Sequence, residues 1–313
     1  MSVDTPALVL GLLAVALAWP VPVLLSRATW PAAAPVLALA LWQSIALAGG
    51  ISMIGSLLVA GLEPFGDDLW SRIARAASCA FQGPLPARVS LAHAFALSAG
   101  LLITAHLLLS LALTAVRSRH QRHRHRELLS LLSSPLPDAP HTRIIDHPAP
   151  AAYCLPGAPS VTVLSEGMVA LLSPEQLEAV IAHEEAHLRQ KHYLLLDAFR
   201  SWKRALPWFP IATRAQDAVA LLVEMLADDT ARRHSSNEVV AGAIRIVDET
   251  GTAGTVLGAP KDPRTPEQRR SALAAREERL MSGRRTIGTG VRLLVVAATV
   301  LLVVVPPEIV LAS

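Results

Sequence analysis

The sequence predicts a multi-span α-helical membrane protein with a mainly α, water-facing domain that carries a small β-sheet. Three observations predict it. Four apolar blocks are gathered at the two ends of the chain. Five arginines fall within ten residues, Arg117 to Arg126, directly after the third block. Between that cluster and the fourth block lies a polar stretch with two short strand patterns and several capped, amphipathic helix patterns. Composition agrees. Of 313 residues, 52% are hydrophobic and only 17% are charged, whereas ordinary soluble domains carry about 25% charged residues.

The blocks are Ala7–Leu25, Pro35–Gly61, Leu91–Val116 and the shorter Leu293–Val305, which extends through Pro306 and Pro307 to Ala312. A bilayer core of about 30 Å needs roughly 20 helical residues at 1.5 Å each, so spans are expected at 7–25, 35–61 and 91–116, with a fourth within 291–313. Residues 1–118 form a membrane domain on this reading and 119–290 a soluble one. The first block does not read as a signal peptide, because Met1–Pro6 has no Lys or Arg and carries Asp4.

Positive charge flanking membrane spans collects on the cytoplasmic side. The Arg117–Arg126 cluster, Arg27, and Arg284, Arg285 and Arg292 all agree on one topology: N-terminus outside, the 62–90 loop outside, and 117–290 in the cytoplasm of a plasma-membrane protein. The basic run is read as a stop-transfer and anionic-lipid anchor. No direct nucleic-acid partner is expected from it, nor a metal site at His120, His123 and His125. Cys79 and Cys154 fall on opposite sides of the membrane and are expected to be free.

In the soluble part, residues 127–149 begin with a short apolar run, Leu128–Leu132, and their proline density reads as a linker with a first extended segment. Ala151–Gly157 and Ser160–Leu164 read as two strands joined by a Gly-Ala-Pro turn, with an edge that could accept an extended peptide. Glu166–Leu172 is a short helix. Ser173, Pro174 and Gln176 then open a helix with a Ser-x-x-Gln capping box. Inside it stands His183-Glu184-Glu185-Ala186-His187. One turn apart on one helix face, His183 and His187 can bind one Zn2+, and Glu184 beside them can serve as general base toward the attacking water. The helix is expected to continue or bend through Tyr193 to Leu206, with Phe199, Trp202, Trp208 and Phe209 buried at the membrane surface.

Asp217 is expected to open the next helix, Ala218–His234. Glu224, a carboxylate within Ala220–Ala227, must be paired, protonated or metal-bound; it is the expected third ligand. Asp228, one turn on, can accept the free N–H of a ligand imidazole and fix its tautomer. His192 competes for the third position, but its five-residue offset from His187 takes it off the ligand face. A third His six residues after the second would define another class, but Tyr193 stands there. Beyond His234, Asn237–Thr250 is helical in pattern, Gly251–Pro266 is rich in Gly and Pro, and Thr265 caps a charged helix to Met281. Arg269 and Arg270 on that helix read as a solvated face, with support of an oxyanion as the alternative.

Ala152-Tyr153-Cys154-Leu155-Pro156-Gly157, Val161–Gly167, Leu172–Arg189 and Glu224–Ala231 together resemble the BlaR/MecR-type (antirepressor) membrane metallopeptidases. The resemblance implies a gluzincin-like zinc metalloprotease domain, with His183, His187 and Glu224 as zinc ligands, Glu184 as catalytic base and Asp228 behind the ligands. It also implies signal transduction: cleavage of a cytoplasmic winged-helix repressor, as in antibiotic-resistance systems. The chain departs from the β-lactam sensors of that group. Its lysines are Lys191, Lys203 and Lys261, and the residues three before them are Leu188, Arg200 and Gly258, so it has no Ser-x-x-Lys. The alternatives are a membrane quality-control or CAAX-type processing protease, and a non-enzymatic signalling scaffold with structural zinc.

Overall fold

The computed structural model describes residues 5–136, 139–157, 160–207, 210–249, 265–282 and 286–313. Trp208, Phe209, Arg284, Arg285 and the 250–264 part of the Gly- and Pro-rich stretch lie outside them.

The chain begins with α1 (Thr5–Ala18) and α2 (Pro20–Arg27). The pyrrolidine rings of Pro20 and Pro22 remove donors and break the apolar run at Trp19. A single turn, α3 (Trp30–Ala33), leads to α4 (Pro35–Leu62). A 3-10 turn and the amphipathic α5 (Leu69–Gln82) follow, where a loop was expected. Next comes α6 (Leu91–Leu132), 42 residues long. After the soluble domain, α13 (Thr289–Leu311) closes the chain with Pro306 and Pro307 inside it. Among the described residues four helical stretches are long and apolar enough to cross a membrane: Thr5–Arg27, Pro35–Phe65, Leu91–Leu132 and Thr289–Leu311. The protein is a multi-pass membrane protein.

α4 is the centre of the membrane region; α1, α6 and α13 all pack on it. Small residues let the backbones approach. A Cβ at Gly61 would fall 2.5 Å from the backbone nitrogen of Leu97, and one at Gly100 would fall 2.8 Å from Leu58.

The 91–116 span is only the first part of α6. Its start is fixed by a reciprocal cap between Ser90 and His93, which accounts for one of the two ionisable residues in that block. The helix then runs unbroken through the basic cluster to Leu132, so the membrane and soluble parts share one rod across residues 118 and 119.

The soluble domain is mainly α with a four-stranded sheet among the described residues. Its strands are β1 (Ser133–Leu136), β2 (Ala139–Ile145), β3 (Ala152–Leu155) and β4 (Val161–Ser165), in the order β1-β2-β4-β3. β2 and β4 are parallel; the other pairs are antiparallel, with Tyr153 opposite Val163. The region read as a linker with one extended segment thus supplies two strands, and β3 is left at an edge.

The helices are α7 (Glu166–Leu171), α8 (Pro174–Arg189), α9 (His192–Ala205), α10 (Pro210–Ala231), α11 (Asn237–Glu249) and α12 (Pro266–Met281). Pro210 opens α10 seven residues before Asp217, consistent with proline's preference for a first helical turn. The largest core cluster joins both regions: Trp42, Ile45 and Ala48 of α4 pack with Phe199 of α9 and Val219, Leu222 and Val223 of α10. Trp202 lies against Gly50. Thus α9 is wedged among membrane helices. Its last turns are held by three residues on one face of α6: His106 Nε2 donates to the Ala205 carbonyl (3.0 Å), Ser110 donates to the Ser201 carbonyl (3.2 Å), and Thr114 accepts from Arg204 (2.7 Å).

Candidate metal centre

The centre is built by three helices. α8 starts as expected: Ser173 accepts from the Gln176 N–H, and the Gln176 side chain accepts from the Ser173 N–H. Its buried face is Ala179, Ala182 and Ala186. These small side chains bring α8 close to α10 and α11 and leave His183 and His187 beside Glu224 of α10.

His183 Nε2 lies 3.2 Å from His187 Nε2 and 3.4 Å from Glu224 Oε2, and His187 Nε2 lies 3.7 Å from Glu224 Oε1. Zinc bonds of about 2.0–2.1 Å at tetrahedral angles place donor atoms roughly 3.3 Å apart. Two imidazoles and one carboxylate at these spacings fit that ion. This is the group among the described residues whose donor atoms converge for a metal.

Asp228 is 1% exposed, and its Oδ1 accepts from His183 Nδ1 at 3.0 Å. That bond leaves His183 Nε2 free to face the donor cluster. Behind the carboxylates is Arg276 of α12. Its Nε and Nη2 donate to the two Asp228 oxygens at 2.8 and 2.7 Å, and its Nη1 is 3.3 Å from Glu224 Oε2. Sequence reading missed Arg276 and considered Arg269 and Arg270 instead. The signal was present: Arg276 lies four residues from each of Ala272 and Leu280, the two buried residues of α12, so it shares their face. Arg270 is exposed and caps back to Pro266, while Arg269 lines the cleft.

The electrostatics follow from this packing. Burial alone would raise the Asp228 carboxyl, but the Arg276 charge and hydrogen bonds hold it at about 2. Burial disfavours charge on His183, yet its bonds to Asp228 and Glu224 outweigh that and raise it to about 10. Positive charge is therefore strongly favoured at the centre. Burial lowers His187 to about 4, so it is neutral and able to donate a lone pair. Glu184 is pushed up to about 7, chiefly by burial, with the His183 charge opposing. A general base is most effective with a pKa near the working pH.

Glu184 also accepts a hydrogen bond from the backbone N–H of Cys154 on β3. This ties α8 to the edge strand. Cys154 and Cys79 are free thiols, and burial pushes Cys154 up to about 12. His192, the rejected third ligand, stands behind His187, with the two Nδ1 atoms 3.0 Å apart. A cleft of about 800 Å³ runs past the centre, lined by His183, Glu184 and Glu224, by Tyr153 and Cys154 of β3, and by Arg122 of α6.

Fold and site together define a membrane zinc metallopeptidase of the gluzincin type, with a His-His-Glu metal-binding cluster. Residues 117–227, the segment carrying α8 and Glu224, match the family model described as Peptidase family M48. No curated protein and no solved structure matches the chain.

Proposed function

We propose that this protein is a zinc metalloendopeptidase that binds one Zn2+ through His183, His187 and Glu224 and cleaves a protein substrate with Glu184 as base. The carrying observation is the convergence of those three donor sets around a carboxylate poised near neutral pH. Zinc in such a site polarises the scissile carbonyl and acidifies water. Glu184 takes the proton of the attacking water and delivers it to the leaving nitrogen. Asp228 holds His183 in its ligand tautomer, and Arg276 balances the buried carboxylates. An extended substrate adds as a strand along the outer edge of β3, a reading supported by the nearness of that edge to Glu184, which the Cys154 N–H reaches.

The Arg117–Arg126 cluster supports a cytoplasmic site with the N-terminus outside. On the BlaR/MecR-type resemblance, the substrate is a cytoplasmic winged-helix repressor and the role is signal transduction. A second reading, quality control of membrane proteins, is favoured by the position of the cleft: its α6 wall starts at Ser118, two residues past the apolar block. Both are separated by one comparison. Cytoplasmic and membrane proteins are compared between cells carrying the wild type and Glu184→Gln. General-base loss reduces turnover by about 10²–10⁴-fold, so specific fragments should appear only with the wild type, while Glu184→Gln keeps one bound zinc. A cleaved DNA-binding protein selects the first reading and cleaved membrane polypeptides select the second. Equal fragments from both forms would remove Glu184 from the chemistry.

A further inference from the structure

We propose that His192 is a positioning residue, the head of a hydrogen-bond relay that locks His187 in its metal-binding tautomer. The proposal rests on the zinc reading above and deepens it. Four bonds form one line. His187 Nδ1 meets His192 Nδ1 at 3.0 Å, and His192 Nε2 meets Gln190 Oε1 at 3.0 Å. Gln190 Nε2 donates to Thr230 Oγ1 at 3.2 Å, and Thr230 Oγ1 donates to the Leu226 carbonyl at 3.2 Å.

The far end sets every proton. A carbonyl only accepts, so the Thr230 hydroxyl donates to Leu226 and receives the Gln190 amide N–H. The Gln190 oxygen must then accept, which places a proton on His192 Nε2. His192 Nδ1 is left with a lone pair, and it accepts from His187 Nδ1–H. His187 Nε2 is thereby stripped of its proton on the side facing His183 Nε2 and Glu224. The two imidazole ligands are thus backed differently: His183 by the Asp228 carboxylate, His187 by a neutral relay anchored on α10.

The chain trace is bent to make this possible. α8 stops at Arg189, and Lys191 adopts φ 52, the one non-glycine positive φ among the described residues. A left-handed residue just after a helix end reverses the chain, although that conformation is disfavoured for a residue with a side chain. The turn starts α9 at His192 and folds its ring back onto His187, which a continuous helix would not do. His192 is 4% exposed, so its ring is held among protein groups.

The test is zinc affinity of the full-length protein in nanodiscs, by competition with a chromophoric chelator, alongside the electronic spectrum of the Co2+-loaded form. Loss of a group that orients a ligand weakens metal binding by about 10–100-fold. His192→Phe should do so and shift the Co2+ bands, while His192→Asn, whose amide oxygen can accept from His187 Nδ1–H, should recover most of the affinity. Thr230→Val should show a smaller loss in the same direction and serves if His192→Phe fails to fold. Wild-type affinity in both His192→Phe and Thr230→Val, or equal losses in His192→Phe and His192→Asn, would overturn the relay and leave the zinc site standing. A wild type without measurable zinc affinity would overturn both the zinc reading and the relay.

Discussion

At the residue scale, the centre is organised by opposite charges largely withdrawn from water, with Asp228 fully buried and Glu224 and Arg276 facing the cleft. Asp228 and Glu224 share Arg276, and removing the arginine strands the buried Asp228 carboxylate beside the half-buried Glu224. Breaking such a pair from one side costs about 3–5 kcal/mol, so Arg276→Met should lower zinc-free stability by that order, read as a drop in melting temperature. The same network predicts an acid limb. Asp228 is depressed to about 2 in the fold, below the ordinary value of 3.8. A depressed carboxyl contributes stability above its unfolded pKa, and that contribution is lost as pH falls toward the folded value. Asp228 should therefore supply about 2 kcal/mol above pH 4 that vanishes between pH 4 and 2. Asp228→Asn in the zinc-free protein should flatten stability over that window; an unchanged acid profile would mean that Asp228 and Arg276 are not coupled.

At the element scale, α9 carries the least expected placement. Its last turns lie beside His106, Ser110 and Thr114, a stripe at four-residue spacing inside the third apolar block. Helix ends leave carbonyls unpaired, and a hydrocarbon setting offers no water to satisfy them. His106→Leu leaves the Ala205 carbonyl without its donor, so a loss of about 1–3 kcal/mol is expected, read by thermal unfolding in nanodiscs. His106→Gln, which retains a donor, should restore part of it. The contrast between α8 and α9 shows what was legible beforehand. Ser173, Pro174 and Gln176 announce α8 because capping is local, and the apolar blocks announce the spans for the same reason. Glu224 was legible because it is a carboxylate within an apolar stretch, and Asp228 because it lies one turn on along the same helix face. The start of α9 was not, since the left-handed φ of Lys191 contradicts the ordinary preference of a residue with a side chain. Arg276 escaped because its partners are 48 and 52 residues away, and the run through Arg117–Arg126 hid the continuity of α6 because charge marks the end of a span without ending a helix.

At the scale of the whole molecule, α6 serves as a ruler. Its apolar block ends at Val116, and the cleft is lined by Ser118, Gln121, Arg122 and His125 on the same helix. At 1.5 Å per residue the α6 wall of the cleft extends from roughly 3 to 14 Å beyond the last apolar residue. The opposite wall gives the same sense, since α9 and α10 are packed on α4 inside the membrane region. A scissile bond that enters this cleft is therefore held near the bilayer surface. An extended chain covers about 3.3 Å per residue, so about four residues beyond a membrane anchor are needed to reach the far end of that wall. A tether of that length also raises the local concentration of substrate into the millimolar range. Once a cleavage sequence is known, it can be fused to a transmembrane helix with spacers of one, six or forty residues and offered to the protein in proteoliposomes. The six-residue spacer should be cleaved at least about ten times faster than the other two: the shortest cannot reach Glu184, and the longest dilutes the bond. Equal rates for six and forty residues, matched by the free peptide, would mean that the cleft takes its substrate from bulk solution and would favour a soluble repressor over a membrane-anchored polypeptide.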